Sequence, residues 1–285
     1  MINLKEALRA VRRADFIPDR IFVSGPGNWL IPLSRDQQPE RWAAMVASPS
    51  AAVVTKVARD PLFPPELSDP STGRGMVATS SSSAPELMAE MIEALELEPG
   101  MRVLEIGTGT GYNAALLAYL LGSENVVSVE IDAEVADRAR GALQRTGYRV
   151  KVITGDGEQG YAADAPYDRV IATAAAHTVP YAWVEQTRPG GVILVPWAET
   201  VHPDGRLARF VVGPDGIAEG RFISQAFFMP LQGQRLQPHV GFAAEERWEQ
   251  AGRPDFTRYG ITVTERGQTI WLDSPEHVVA AQESP

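Results

Sequence analysis

Three glycines on alternate positions, Gly107, Gly109 and Gly111, directly follow the largely apolar run 103–106. Such a run suits a buried parallel strand, and the glycines let the backbone turn tightly against a ligand before a helix predicted for 112–121. A dinucleotide-binding turn would carry its third glycine where this chain has Tyr112. The strand also contains Glu105, which would repel a pyrophosphate and attract a cationic ligand. The stretch therefore predicts a site for a positively charged cofactor.

Acidic residues also stand where the next two predicted strands end. Glu130 closes the run 126–130, and an acid at this spacing in a doubly wound fold accepts hydrogen bonds from ribose hydroxyls. Asp156 follows the run 150–154, where a carboxylate could meet an adenine amino group and Gly157 would allow close approach. Because ligands of open α/β sheets bind at the carboxyl edge of the strands, we expect Glu105, Glu130 and Asp156 to line one site.

Composition limits the class of protein. The 285 residues are 44% hydrophobic, enough for one α/β domain of about 200 residues with appendages. There is no cysteine and the four histidines are scattered, so neither a disulfide framework nor a metal site is expected. The formal net charge of -10 disfavours a nucleic-acid partner, and no segment reaches the ~18 consecutive apolar residues of a membrane span. The start lacks the apolar stretch of a signal peptide, so we expect a cytoplasmic protein whose partners are peptides or small molecules.

The order of apolar runs predicts a doubly wound, Rossmann-like α/β sheet with three regions. Residues 1–78 are expected to form a wall or lid on the substrate side, residues 79–231 the core, and residues 232–285 a C-terminal extension with a β-hairpin. The predicted parallel strands are 102–106, 126–130, 150–154, 168–173 and 191–196, the antiparallel edge strands are 207–212 and 222–228, and the hairpin strands are 260–264 and 269–272.

A hydroxyl-rich segment, 79–85, precedes the first core helix and is predicted to be a loop aimed at the glycine turn. Together with other motifs it resembles the protein-L-isoaspartate O-methyltransferase family over roughly residues 76–231. The N-terminal Asp15-Phe16-Ile17-Pro18 matches more loosely. The motifs of the core are Ser83-Ala84-Pro85, the glycine turn 105–112, Gly155-Asp156-Gly157, Pro189-Gly190-Gly191 and the run 227–231.

The resemblance implies a class I methyltransferase that binds S-adenosylmethionine and releases S-adenosylhomocysteine, without a metal. It implies that Ser83 is the catalytic hydroxyl that hydrogen-bonds the substrate carboxylate, with its serine neighbours 80–82 as substitutes in a shifted register. A carboxylate is already ionised at pH 7, so no general base is needed, and the methyl ester then cyclises to a succinimide (aspartimide). The implied cofactor-binding residues are Ser82, Glu105, Gly107, Thr108, Gly109, Gly111, Asn113, Glu130, Ile131, Asp156, Gly157 and Thr173.

Departures from the family pattern guide the choice of substrate. This chain has Ser82 where the family usually has isoleucine and Glu86 where it has histidine or tyrosine, and both of its ends are longer than in compact repair enzymes. These features are similar to those of actinobacterial relatives that accompany lanthipeptide or ATP-grasp peptide maturation. We therefore favour a monomer that methylates an ordinary aspartate in a constrained ribosomally synthesised peptide, with general protein-L-isoaspartate repair as the alternative.

Hypotheses from other classes are less favoured. The intact acids and hydroxyls argue against a cofactor-binding module without catalysis, and Tyr112 argues against a dehydrogenase. The stretch 172–176 lacks the Asn/Asp-Pro-Pro-Tyr element of methyltransferases that act on adenine or glutamine, which argues against a nucleic-acid substrate. The aromatic residues Trp248, Tyr259 and Trp271 could clamp a peptide, although packing of the hairpin on the core is the simpler interpretation.

Overall fold

A computed structural model of the protein describes residues 2–283. Its N-terminal part is a four-stranded antiparallel sheet of order β2-β1-β3-β4, accompanied by three helices. The elements are α1 (Leu4–Ala10), β1 (Arg20–Ser24), β2 (Leu30–Ser34), α2 (Pro39–Ala47), β3 (Val53–Arg59), β4 (Met76–Ser82) and α3 (Pro85–Ala94). A small apolar cluster between this sheet and α2, built around Ile21, Leu33 and Trp42, gives the region a core of its own.

The remainder forms one ten-stranded mixed sheet. Its first part alternates strands and helices: β5 (Val103–Ile106), α4 (Tyr112–Leu121), β6 (Val126–Glu130), α5 (Ala133–Arg145), β7 (Lys151–Thr154), β8 (Tyr167–Ala172), α6 (Tyr181–Glu185) and β9 (Thr187–Trp197). Strands β7, β6, β5, β8 and β9 lie side by side in parallel, so the carboxyl ends of β5 to β8 meet at one edge. The predicted doubly wound, Rossmann-like α/β sheet with antiparallel edge strands is confirmed.

Burial explains why these runs fold as they do. Every residue of β5 and β6 is buried, as expected for strands covered on both faces by helices. Helix α4 is apolar around most of its circumference and packs between the sheet and the N-terminal helices. Helix α5 begins where the Asp132 carboxylate accepts hydrogen bonds from the backbone N–H groups of Glu134 and Val135, at 3.0 and 3.1 Å.

Antiparallel strands extend the same sheet to the C-terminus. They are β10 (Arg206–Val212), β11 (Ala218–Gln225), β12 (Tyr259–Thr264), β13 (Gly267–Leu272) and β14 (Val278–Glu283), with α7 (Pro238–Gln250) between β11 and β12. The predicted hairpin is present, and it continues the core sheet through the pairing of β11 with β12. Tyr259 and Trp271 are each 3% exposed, so these two aromatic residues pack the extension and do not clamp a ligand.

The serine run differs from its prediction, because Ser80, Ser81 and Ser82 belong to β4 and pair with β3. The run lacks the apolar alternation typical of a strand, and long-range pairing with the valines of β3 overrides its linker-like composition. As a result, Ser80 and Ser82 are buried. The predicted boundary between residues 78 and 79 lies within this strand, and the partition into three regions stays a prediction.

None of the helices within residues 2–283 combines the length and the apolar character needed to cross a membrane. Over the same residues, no group of three or more His, Asp or Glu side chains is arranged to hold a metal ion.

Candidate active site

The glycine turn lies between the ends of β4 and β8. Gly107 has a φ of +93°, and a Cβ atom there would come within 2.9 Å of Oγ1 of Thr173. Gly109 has a φ of +54°, and its Cβ would lie 3.0 Å from the carbonyl oxygen of Ser81. Both positions therefore require glycine, for backbone conformation and for space. The structure brings the serine run, the glycine turn and the end of β8 into one cluster.

Glu130 ends β6 and faces this turn. Its Oε2 accepts a hydrogen bond from the Gly109 N–H at 2.9 Å, and its Oε1 accepts one from the Asp132 N–H at 3.1 Å. Burial raises the pKa of Glu130, and these backbone donors act in the opposite direction. Each carboxylate oxygen can accept a second hydrogen bond, so the side chain can still receive the two hydroxyls of a ribose.

Three residues that follow β6 and β7 were predicted to contact the nucleotide part of a cofactor. Ile131 is 47% exposed, an unusual state for a large apolar residue and one that suits contact with a flat base. Asp156 follows β7, is exposed, and uses Oδ1 to accept a hydrogen bond from the Glu158 N–H at 3.0 Å. A Cβ atom on Gly157 would come within 2.6 Å of Cγ2 of Ile106, so this position has no room for a side chain.

Glu105 lies on β5, within the predicted strand, but its side chain is buried and bonded inside the protein. Its side chain is 0% exposed, with Asn113 Nδ2 donating to Oε1 at 2.7 Å and Ser128 Oγ donating to Oε2 at 2.5 Å. Ser128 Oγ also bonds Thr108 Oγ1 at 2.6 Å. Burial raises the pKa of Glu105 to about 7 against the effect of these donors, and the nearby Glu130 charge adds to the rise.

This network corrects the expectation that Glu105 contacts a cationic ligand directly. Glu105 and Ser128 are register partners on β5 and β6, so their side chains leave the sheet on the same face. Through Ser128 the carboxylate holds Thr108 of the glycine turn, and directly it holds Asn113 of α4. Asn113 and Thr108, also predicted as cofactor contacts, are buried and bonded inside this network, as is Ser128, which the sequence analysis missed.

Thr173 and Gly111 shape the turn from its two sides. The Thr173 hydroxyl donates to the Gly107 carbonyl oxygen at 2.5 Å, and the Thr173 N–H donates to the Ile106 carbonyl oxygen at 2.8 Å. Gly111 caps the N-terminus of α4 with a φ of +86°. Both residues fix the backbone of the turn, as expected for a tight loop beside a ligand.

The serines divide into two pairs. Ser80 Oγ accepts a hydrogen bond from Thr55 at 3.2 Å, and Ser82 Oγ accepts one from Nε of Arg13 at 3.1 Å. Ser81 and Ser83 are half-buried, and within residues 2–283 their hydroxyls make no hydrogen bond. Ser83, between β4 and α3, thus keeps a hydroxyl that the described part of the protein does not use, and its catalytic role stays a prediction. The Ser82 hydroxyl, predicted to contact the cofactor, is instead buried and bonded to Arg13.

Two cations near the site were not found from the sequence. Arg13 is buried against the end of β4, and Lys56 on β3 bonds Asp132 and Glu134 at 2.7 and 2.8 Å. Neither belongs to a local motif, because each meets its partners across long stretches of chain. The tandem arginines before the Phe-Ile-Pro run were the one available signal for Arg13.

Comparison with known proteins finds a matching family. A model of the family described as protein-L-isoaspartate(D-aspartate) O-methyltransferase (PCMT) matches residues 51–236. A protein-L-isoaspartate O-methyltransferase of Ignicoccus hospitalis is 40% identical over 187 residues, which cover 64% of this chain and 87% of the relative. A protein of the same name from Methanopyrus kandleri is 42% identical over 178 residues, covering 56% of this chain and 77% of that relative.

The fold is similar to that of a solved protein-L-isoaspartate O-methyltransferase structure. That structure aligns over 96% of this chain and 84% of its own length, with a TM-score of 0.62 and 24% sequence identity. The likeness concerns the fold, and it extends beyond the core into the C-terminal strands.

Proposed function

Because this chain belongs to the protein-L-isoaspartate(D-aspartate) O-methyltransferase family, a family of S-adenosylmethionine-dependent enzymes, we propose that it methylates the free carboxylate of isoaspartyl residues in proteins and peptides. The observation that carries this proposal is the contact between the serine run and the glycine turn. A Cβ on Gly109 would lie 3.0 Å from the Ser81 carbonyl oxygen, so Ser83, two residues further along the chain, is close to the turn that would hold the cofactor. A carboxylate bound by Ser83 would thus be presented to the methyl donor.

The residues at the sheet edge fit S-adenosylmethionine. Glu130 has acceptor capacity left for the ribose hydroxyls, Ile131 offers an apolar face to the base, and Asp156 keeps one carboxylate oxygen for the adenine amino group. When bound, S-adenosylmethionine supplies a methyl group carried on a positively charged sulfur. The negative charges of Glu130 and Asp156 suit a cofactor that bears cationic groups and no phosphate.

The acceptor chemistry asks little of the protein besides placement. The carboxylate is ionised at neutral pH, so the site needs no general base, and its tasks are to orient the attacking oxygen and to exclude water. We propose that the Ser83 hydroxyl donates a hydrogen bond to one carboxylate oxygen and leaves the other free to form the ester bond. The methyl ester then reacts with the following backbone amide, methanol leaves, and a succinimide forms.

The comparisons favour isoaspartate over the constrained ribosomal peptide that the sequence analysis preferred. The matched family model and the curated relatives bear the isoaspartate name, and none points to peptide maturation. The C-terminal extension does not favour either substrate. A solved protein-L-isoaspartate O-methyltransferase structure aligns with 96% of this chain, so the alignment includes most of the extension. An actinobacterial origin, a cytoplasmic location and a monomeric state stay predictions of the sequence.

A peptide panel tests the proposal. Matched linear isoaspartyl, linear aspartyl and macrocyclic aspartyl peptides would be incubated with the protein and S-adenosylmethionine, and methyl addition and methanol loss followed by mass spectrometry. We expect the linear isoaspartyl peptide to be methylated with the highest kcat/KM. Preference for the macrocycle would restore the ribosomal-peptide hypothesis, and binding of S-adenosylhomocysteine without turnover on any peptide would indicate a module without catalysis.

A further inference from the structure

Arg13 is a buried cation whose whole hydrogen-bonding capacity is used inside the protein. The side chain is 6% exposed. Its Nε donates to Ser82 Oγ at 3.1 Å, Nη1 donates to the carbonyl oxygens of Val46 and Ser48 at 3.3 and 3.1 Å, and Nη2 donates to those of Ala51 and Ser82 at 2.9 and 2.8 Å. A guanidinium has five N–H donors, so each of them has a partner.

No carboxylate takes part in this arrangement. Within residues 2–283 the partners of Arg13 are one hydroxyl and four carbonyl oxygens, and burial lowers the pKa of the guanidinium to about 10. A buried charge without a counter-ion is costly, and the structure compensates for it only through neutral acceptors. Because an apolar side chain would leave these acceptors without their donors, the role of Arg13 lies in the segments that it holds together.

The geometry shows what the guanidinium holds. The Ser82 carbonyl belongs to the peptide bond that joins Ser82 to Ser83, so the bond from Nη2 fixes the orientation of that peptide plane. On the other side of Ser83, the N–H of Glu86 in the first turn of α3 donates to the Pro49 carbonyl oxygen at 3.0 Å. Pro49 lies in the segment 46–51 that Arg13 binds at three carbonyls. Arg13 therefore fixes one flank of Ser83 directly and the other through the segment 46–51.

We propose that Arg13 is a positioning residue for the Ser83 hydroxyl. Its guanidinium fixes the peptide bond before Ser83, and it fixes the segment 46–51, which is bonded to the first turn of α3 after Ser83. The inference rests on the proposed function of Ser83 in methyl transfer. Arg13 lies outside residues 51–236, the part of the chain that matches the family model. Lysine keeps the positive charge but has three donors on one nitrogen, so it cannot bind the five acceptors together.

A double-mutant cycle separates positioning from general stability. We would measure kcat on a linear isoaspartyl peptide for the wild type, Arg13→Lys, Ser83→Ala and the double variant. We expect Arg13→Lys to lower kcat about 10-fold or more, but by no more than Ser83→Ala does, since misplacement near 1 Å can cost up to about 100-fold. The Kd of S-adenosylhomocysteine should change by less than about 3-fold. In the Ser83→Ala background the same change should cost less than about 3-fold, because the hydroxyl it positions is gone.

Leu33→Ala provides the matched control for stability. Leu33 is 1% exposed and lies in the same N-terminal sheet, so its truncation loosens that region without touching Ser82. If its unfolding midpoint is similar to that of Arg13→Lys, Leu33→Ala should retain kcat within about 3-fold of the wild-type value. An equal loss of kcat in both variants, or an equal loss from Arg13→Lys with and without Ser83, would overturn the positioning role.

The outcomes also distinguish this inference from the proposed function. A wild type that methylates no isoaspartyl peptide refutes the proposed function, whereas an active wild type with an additive cycle refutes only the role of Arg13. If Arg13→Lys is not recovered folded, the same cycle is measured with Ser82→Ala, which removes the acceptor of Nε. A non-additive loss with Ser83→Ala then supports the inference, and an additive result contradicts it.

Discussion

The backbone N–H of Gly109 donates a hydrogen bond of 2.9 Å to Oε2 of Glu130, which joins the glycine turn after β5 to the acid that ends β6. The acid expected to bind ribose therefore also fixes the glycine turn. Both parts of the proposed cofactor site depend on one carboxylate, and a change at Glu130 should disturb them together.

Glu130→Gln is expected to weaken the binding of S-adenosylhomocysteine about 10-fold to 100-fold, because hydrogen bonds to a charged group contribute roughly 1.5–3 kcal/mol. The amide would keep the size of the side chain, but its NH2 group cannot accept a hydrogen bond, so either the Gly109 or the Asp132 N–H loses its acceptor. Isothermal titration calorimetry measures the change. Glu185→Gln, at an exposed acid on α6, serves as the control and should bind normally. Unchanged affinity in Glu130→Gln would remove this residue from the site.

Ser83→Ala is expected to lower kcat on an isoaspartyl peptide about 10-fold to 100-fold, through loss of one hydrogen bond to the acceptor carboxylate. Because the Ser83 hydroxyl is not part of the predicted cofactor contact, the Kd of S-adenosylhomocysteine should not change. Ser81→Ala is the matched comparison, since Ser81 is also half-buried and makes no side-chain hydrogen bond within residues 2–283. A larger loss in Ser81→Ala would transfer the catalytic role to that serine.

The stability of the protein should depend on pH through Glu105. Burial raises its pKa from the ordinary value of 4.5 to about 7, so between these values the folded state binds more protons than the unfolded state. The contribution of Glu105 to the free energy of unfolding is therefore fully present below about pH 4.5 and is lost as the pH rises through about 7. Glu105→Gln does not titrate, and its amide can still donate to Ser128 and accept from Asn113.

We therefore expect the free energy of unfolding of the wild type, relative to Glu105→Gln, to fall by about 1–3 kcal/mol between pH 5 and pH 8. Urea denaturation at several pH values measures this difference, and other titrating groups cancel in it. Parallel pH profiles for the two proteins would show that Glu105 keeps an ordinary pKa and is charged throughout.

The sequence predicted the elements whose signals are local. Apolar runs with helices between them predicted the parallel core, and the spacing of glycines and acids placed Gly109 and Glu130 at one edge. The missed features depend on distant contacts. Arg13 meets Ser82 across 69 positions, so no local pattern reveals it. The burial of Glu105 depends on its register with Ser128, which cannot be known before the strands are paired.

Lys56 should hold the N-terminal sheet against the ten-stranded sheet, through Asp132 and Glu134 after β6. Burial alone would lower its pKa, but the bonds to Asp132 and Glu134 outweigh that effect and raise it, so the lysine stays charged at neutral pH. In Lys56→Met we expect faster hydrogen exchange in β3 and β4, with a loss of stability of about 1 kcal/mol or less because the pair is partly exposed.

The control for Lys56→Met is Lys151→Met, which breaks another 2.8 Å ion pair, with Asp164. Lys151 lies on β7, away from the N-terminal sheet, so exchange in β3 and β4 should match that of the wild type. Added salt should speed exchange in the wild type and leave Lys56→Met little changed, because screening acts on the ion pair. Equal exchange rates in all three proteins would contradict this role of Lys56.

Gly157→Ala should be destabilising because its Cβ would come within 2.6 Å of Cγ2 of Ile106, the last residue of β5. Overpacking of this kind costs about 1–3 kcal/mol of stability. It should also weaken S-adenosylhomocysteine binding, because Gly157 follows Asp156, the residue proposed to meet the adenine amino group. Gly155→Ala is the matched control, since its Cβ would lie 4.0 Å from Cγ2 of Ile153, an ordinary contact distance.

A second substitution at Ile106 tests the contact itself. Leucine lacks the Cγ2 methyl group that the new Cβ would meet, so Ile106→Leu should restore part of the stability lost in Gly157→Ala. Thermal unfolding and calorimetry of the single and double variants measure both effects. Additive losses in the double variant would show that the contact with Ile106 is not what restricts position 157 to glycine.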